Sequence, residues 1–163
     1  RKNEQRQQFE YFKTVAGILR MIWVIDASVA LRWLLEEEAH SHADMVLEKI
    51  VYDPDSFAVP ELFAFEVFSV LHRLHPNGLQ AFKMGIIPIL QLGIFRQPMT
   101  ERLAVKANYF VKLGLTGYDA CYAALALDLS GIWLTFDKKA HRLLKKEKIS
   151  CFIEDSMPDN WSV

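Results

Sequence analysis

Two short apolar runs constrain this chain more than any other feature: the apolar part of MIWVID at 21–26 and IWLTF at 132–136, each leading at once to an aspartate, Asp26 or Asp137. Neither run alternates apolar with polar residues, so neither suits a strand with one wet face. A strand that is apolar on both faces has to be covered on both, which a parallel sheet with helices above and below achieves. Helix-like segments separate the runs, and FAV at 57–59 and CFI at 151–153 supply further strands. The pattern predicts an α/β fold: a three-layer α/β/α sandwich with a mainly parallel central sheet. In open sheets of this class ligands collect outside the carboxyl ends of the strands. Asp26 and Asp137 should therefore share one rim.

The helical segments are predicted at 28–35, 40–52, 60–74, 79–92, 100–113, 117–129 and 138–148. Pro60 suits a first helical turn, PNG at 76–78 reads as a turn, and Pro88 should kink or divide the segment around it. Gly114 and Gly131 act as stop signals. Residues 1–20 differ from the rest: Gln-rich and charged, then apolar at Phe9, Phe12, Ala16 and Leu19, the spacing of one amphipathic helix. With Met21 as a natural start, that segment reads as an extension or fusion remnant without a catalytic role. Residues 21–163 are then a single domain, since 163 residues suffice for one substantial core and not for two.

Hydrophobic residues at 52% and charged residues at 24% give a globular balance that argues against disorder. A formal charge of −1 advertises no global affinity for nucleic acid or membrane, so any such partner is met by a local patch. Cys121 and Cys151 form no CxxC pair and read as free thiols in a reducing compartment. No run approaches the roughly 18 apolar residues of a membrane helix. These features together predict a soluble, cytoplasmic protein with no membrane partner.

Four carboxylates stand out. Asp26 and Asp137 end strands; Asp119, in LTGYDACYAALAL, falls at the third helical position behind Thr116, much like a capping box. Taken singly, each aspartate also reads as a helix cap. Glu66 does not: in PELFAFEVFSVLHRL its helical neighbours are Leu62, Phe63 and Val70, and a carboxylate in an apolar face needs a partner. Glu61, in the first turn, reads as structural. If the four converge, the group carries up to four negative charges, and something positive must be bound. Oxygen-only donors point to a hard ion, Mg²⁺ or Mn²⁺. Such an ion activates water and stabilises charge on a phosphoryl group, so phosphodiester hydrolysis is the natural chemistry.

VIDASVALRWLL, VPELFAFEVFSVL, LTGYDACYAALAL and WLTFDKKAHRL, in that order, resemble the four motif blocks of the PIN-domain ribonucleases, especially the small VapC-type toxins. The resemblance covers residues 21–153. It implies catalytic and metal-binding roles for Asp26, Glu66, Asp119 and Asp137, with Ser28 and Thr135 at small hydroxyl positions that line or brace such pockets. It further implies RNA cleavage with Mg²⁺ or Mn²⁺, a homodimer, and inhibition by a small antitoxin. Ser69 departs from the pattern, since the glutamate block often carries Asn three residues after the acid.

Other residues read more plainly. The basic run at 138–148 suits a solvated helix face. His72 and His75 lack a third ligand for a metal, and His40 and His42, two apart, look like surface residues. Trp33, Phe63, Phe65, Phe68 and Trp133 are assigned to packing. A non-catalytic binding module of the same fold is the rival reading. An aspartyl phosphotransferase is disfavoured because Ser28 stands where a haloacid-dehalogenase-like phosphatase would place a second Asp.

Overall fold

The computed structural model describes residues 20–162. The helix expected over Phe9 to Leu19 lies outside them. Five parallel strands form one sheet in the order β3-β2-β1-β4-β5: β1 (Trp23–Ile25), β2 (Phe57–Pro60), β3 (Phe95–Gln97), β4 (Ile132–Thr135) and β5 (Ser150–Phe152). All residues of β1 and β2, and all of β4 but Ile132, are buried. That double burial is what their unbroken apolar character requires, and the α/β sandwich expected from it is the observed fold.

The helices are α1 (Ala27–Leu31), α2 (Ser41–Tyr52), α3 (Leu62–Leu74), α4 (Gly78–Ala81), α5 (Ile87–Leu90), α6 (Glu101–Lys112), α7 (Gly117–Asp128) and α8 (Lys138–Leu143). Helix α7 packs across β1, β2 and β4 and against α6, burying every residue from 120 to 126. Its alanines explain this: they favour helix and let the backbone approach the sheet closely. At its far end a Cβ on Gly131 would sit 2.4 Å from the carbonyl oxygen of Ile22, the group that accepts the Ile132 N–H at 2.9 Å. Only glycine lets β4 enter the sheet there.

Several elements depart from the sequence-based expectation. The segment at 28–35 is helical only to Leu31 and continues in turns. Pro60 ends β2 instead of opening a helix, and Glu61 turns its N–H to the carbonyl of Gln97 at 2.8 Å. The stretch at 79–92 is divided, as Pro88 requires, but the break is a π-helical turn, Phe82–Ile86, just before it. The basic segment stops as helix at Leu143. Strand β3 was not foreseen: its sequence, FRQ, is half exposed at the sheet edge, where backbone pairing with β2 does not demand an apolar run. Cys121 and Cys151 are free thiols, and none of the described helices is long and apolar enough to cross a membrane.

The chain runs from β1 outward to β2 and β3, then returns to lay β4 on the other side of β1. The order therefore reverses between β1 and β4, which opens a crevice at their carboxyl ends. A Gly131→Ala variant should lose about 1–3 kcal/mol of stability, since its methyl meets backbone that cannot yield. Gly117→Ala, whose Cβ meets nothing within 4 Å, should lose none; urea denaturation of both variants checks the contrast.

Candidate active site

Asp26 follows β1 directly, and its N–H continues the ladder to the Leu134 carbonyl at 3.1 Å. The strand thus delivers its carboxylate into the crevice, 7% exposed. Two hydroxyls donate to the same oxygen, Oδ2: Thr135 Oγ1 at 2.6 Å and Ser28 Oγ at 2.7 Å. Each hydroxyl also accepts a backbone N–H from the turn after β4, Thr135 from Asp137 at 2.9 Å and Ser28 from Phe136 at 3.1 Å. Asp26 stands at the N-terminus of α1 without capping it through its side chain.

The other three acids enter from separate elements. Asp137 caps α8, its Oδ1 accepting the Ala140 N–H at 2.8 Å. Asp119 lies in the first turn of α7, where the Thr116 hydroxyl accepts its N–H at 3.1 Å. Glu66 lies in the second turn of α3, half-buried, and the Tyr122 hydroxyl donates to its Oε1 at 2.8 Å. The partner that this carboxylate requires is therefore Tyr122 of α7, which is itself buried and stacked on Trp133 with ring centroids 5.6 Å apart. Sequence reading called for a partner but not for this one, 56 positions away.

Electrostatics tie the four together. Burial pushes Asp26 from its ordinary value of 3.8 to about 6, against the pull of Thr135 and Ser28, and the charge of Asp119 adds to the rise. Glu66 is pushed up to about 7, chiefly by burial, then by the charges of Asp26 and Asp119, with the Tyr122 bond opposing. Asp119 is raised by burial and by Asp137, while Thr116 pulls it down. Tyr122 is held well above the usual phenol range by burial and by Asp26 and Glu66. Among the described residues no cation pairs with any of the four. Arg32 turns away: its guanidinium lies 3.8 Å over the Phe136 ring, donates to the Ser28 carbonyl and pairs with Glu38.

The donor set fits a hard divalent cation by its chemistry: carboxylate oxygens from four elements, without Cys or His, in a low-dielectric crevice that disfavours their charge. Among the described residues, no three His, Cys, Asp or Glu side chains are gathered tightly enough to hold a metal as they stand.

Other expectations need correction. His40 and His42 are half-buried, not surface residues. His40 precedes α2 in extended backbone and packs its edge on Phe136, so helical spacing does not govern the pair, whose rings lie 4.9 Å apart. Phe63 and Trp133 are core and Trp33 is half-buried, but Phe65 is 70% and Phe68 42% exposed. Phe65 lines a groove of about 390 Å³ with Pro60, Leu62, Met99, Gly117 and Tyr118, and Cys121, also in the lining, feels the charge of Glu66. The lysines of the basic run are exposed, as a solvated face requires.

The PIN domain family model matches residues 23–146. Among solved structures, the chain is similar to PAE2754 from Pyrobaculum aerophilum: 21% identity, TM-score 0.59, covering 82% of this chain and 84% of that one. It is also similar to FitAcB from Neisseria gonorrhoeae: 15% identity, TM-score 0.59, covering 76% of this chain and 94% of that one. At these identities the likeness is one of fold. No curated protein matches by sequence.

Both raised carboxyls make the folded chain bind more protons than the unfolded one between about pH 4 and pH 7. Stability without metal therefore falls as pH rises through that window. Glu66→Gln removes a charge that burial opposes, so in EDTA its melting temperature should gain on the parent between pH 4 and pH 8. A pH series of thermal melts checks this, and an unchanged gap would contradict it.

Proposed function

This chain belongs to the PIN domain family, and on that premise we propose that it is a metal-dependent endoribonuclease that hydrolyses RNA phosphodiester bonds. The observation that carries the reading is a set of four carboxylates around the crevice between β1 and β4 that act on one another through their charges and pair with no cation among the described residues, two of them pushed to about 6 and about 7. A group of that kind costs stability unless a cation offsets it. PIN domains are generally nucleases that use divalent ions, and Mg²⁺ or Mn²⁺ suits these donors.

In this reading Asp26, Glu66, Asp119 and Asp137 supply the carboxylate oxygens. When bound, the ion lends charge stabilisation to the phosphate and lowers the pKa of water. Ser28 and Thr135 fix one oxygen of Asp26 by donating to it, which leaves the other for the crevice. Tyr122 fixes Glu66, and Thr116, which accepts the Asp119 N–H, anchors the turn that carries Asp119. Asp137 is held by a backbone N–H. These bonds restrict the rotamers the acids can adopt as they close on a cation.

The reading extends to the toxin of a VapC-type toxin–antitoxin pair, cytoplasmic, dimeric and restrained by a small antitoxin. Its support is the four motif blocks in order. Leu79 and Met84, 60% and 69% exposed, offer apolar surface for such contacts. The rival reading, a docking module of the same fold, draws on the spacing of the acids, which form no ready-made metal cluster among the described residues.

Cleavage of a panel of end-labelled RNAs in Mg²⁺, Mn²⁺ or EDTA separates the two. The parent should cut with metal and stop in EDTA, and Asp26→Asn or Asp119→Asn should abolish cutting while the fold survives. Either variant cutting as well as the parent would refute the site. Thr135→Val, which strips Asp26 of one donor, should lower activity by about 10–100-fold.

A further inference from the structure

The groove beside the acids is not explained by metal binding or hydrolysis. We infer that it receives a nucleobase of the bound RNA strand, next to the phosphate held at the carboxylates; the inference rests on the nuclease reading and adds a base subsite to it. Three observations carry it. First, the groove reaches the acids: Cys121, which lines it, feels the charge of Glu66, and Gly117 and Tyr118, also in the lining, stand in the first turn of α7 with Asp119. A strand whose phosphate meets a cation at these acids has an adjoining base within reach of the groove. Second, the lining suits a planar, uncharged ring. Phe65, Tyr118 and Met99 are 70%, 64% and 58% exposed, a concentration of apolar surface that a lone chain does not gain by displaying. Single-stranded RNA is recognised by such stacking.

Third, the charge is wrong for phosphate and right for a base. Among the described residues of the lining Glu61 alone is ionic, and no Lys or Arg contributes. The sugar–phosphate chain gains no ionic partner there, and the largely apolar lining suits the flat face of a base. At about 390 Å³ the groove is within the range of small-ligand pockets. It is also open at one wall, since a Cβ on Gly117 meets nothing within 4 Å.

The test measures binding of a labelled single-stranded hexaribonucleotide, and of the same strand with abasic riboses, to the Asp26→Asn protein in Mg²⁺. The intact strand should bind about tenfold more tightly than the abasic one. That preference should vanish in a Phe65→Ala, Tyr118→Ala background, whose side chains are exposed and whose loss spares the core. Gly117→Leu, which fills the groove instead of stripping it, should erase the preference as well. Equal binding of intact and abasic strands overturns the base subsite and assigns the groove to an apolar side chain of a protein partner. The two claims fail separately: base-dependent binding by a chain whose parent never cuts RNA sinks the nuclease and keeps the subsite, whereas metal-dependent cutting with no base preference does the reverse.

Discussion

The hydrogen bond from Thr135 to Asp26, 2.6 Å long and fully buried, is the contact on which the rest of the rim depends. It joins the ends of two strands that are neighbours only because the chain reverses its direction of sheet growth between them. Ser28 makes a second bridge to the same oxygen, and both hydroxyls accept backbone N–H groups from the turn that leads to Asp137. One buried carboxylate thus organises the end of β1, the start of α1 and the turn before α8. Burying a charge without a cationic partner is costly. The two hydroxyls lower that cost without cancelling it, and Asp26 remains raised to about 6.

That residue of unfavourable energy is distributed. Glu66 shares it with Asp26, and the charges of Asp26 and Asp119 both contribute to its rise. A fold free to optimise stability would place a lysine or an apolar side chain here. Instead hydroxyls surround the acids, and they orient without neutralising. Arg32, near enough to bond the Ser28 carbonyl, is stacked on Phe136 and paired with Glu38. The arrangement keeps negative potential in the crevice, and the groove lined by Phe65 and Tyr118 lies at its edge.

The sheet was legible because WVI and IWLT leave no face for water, and the rim because each run ends near an aspartate. Asp119 was legible through Thr116, and Asp137 is the helix cap its position suggests as well as a member of the rim. What escaped depends on contacts distant in sequence or on backbone alone. The length of Glu66's reach to Tyr122 spans two helices. Strand β3 exists by edge pairing, and its three residues carry no apolar signal. Phe65 and Phe68 sit within an apolar run yet face outward, because a helix with apolar residues on most sides still has one side toward solvent. His40 and His42 escaped because His40 lies outside the helix whose spacing was applied to it.

The central claim is that the crevice holds carboxylates kept partly protonated until a divalent cation binds. Calorimetric titration of the protein with Mn²⁺ at pH 6, repeated in buffers of different ionisation enthalpy, measures the protons released per ion bound. Because Asp26 and Glu66 are raised to about 6 and about 7, binding should expel on the order of one proton at pH 6 and almost none at pH 8.5. Binding without proton release at pH 6, or no binding at either pH, would contradict the account.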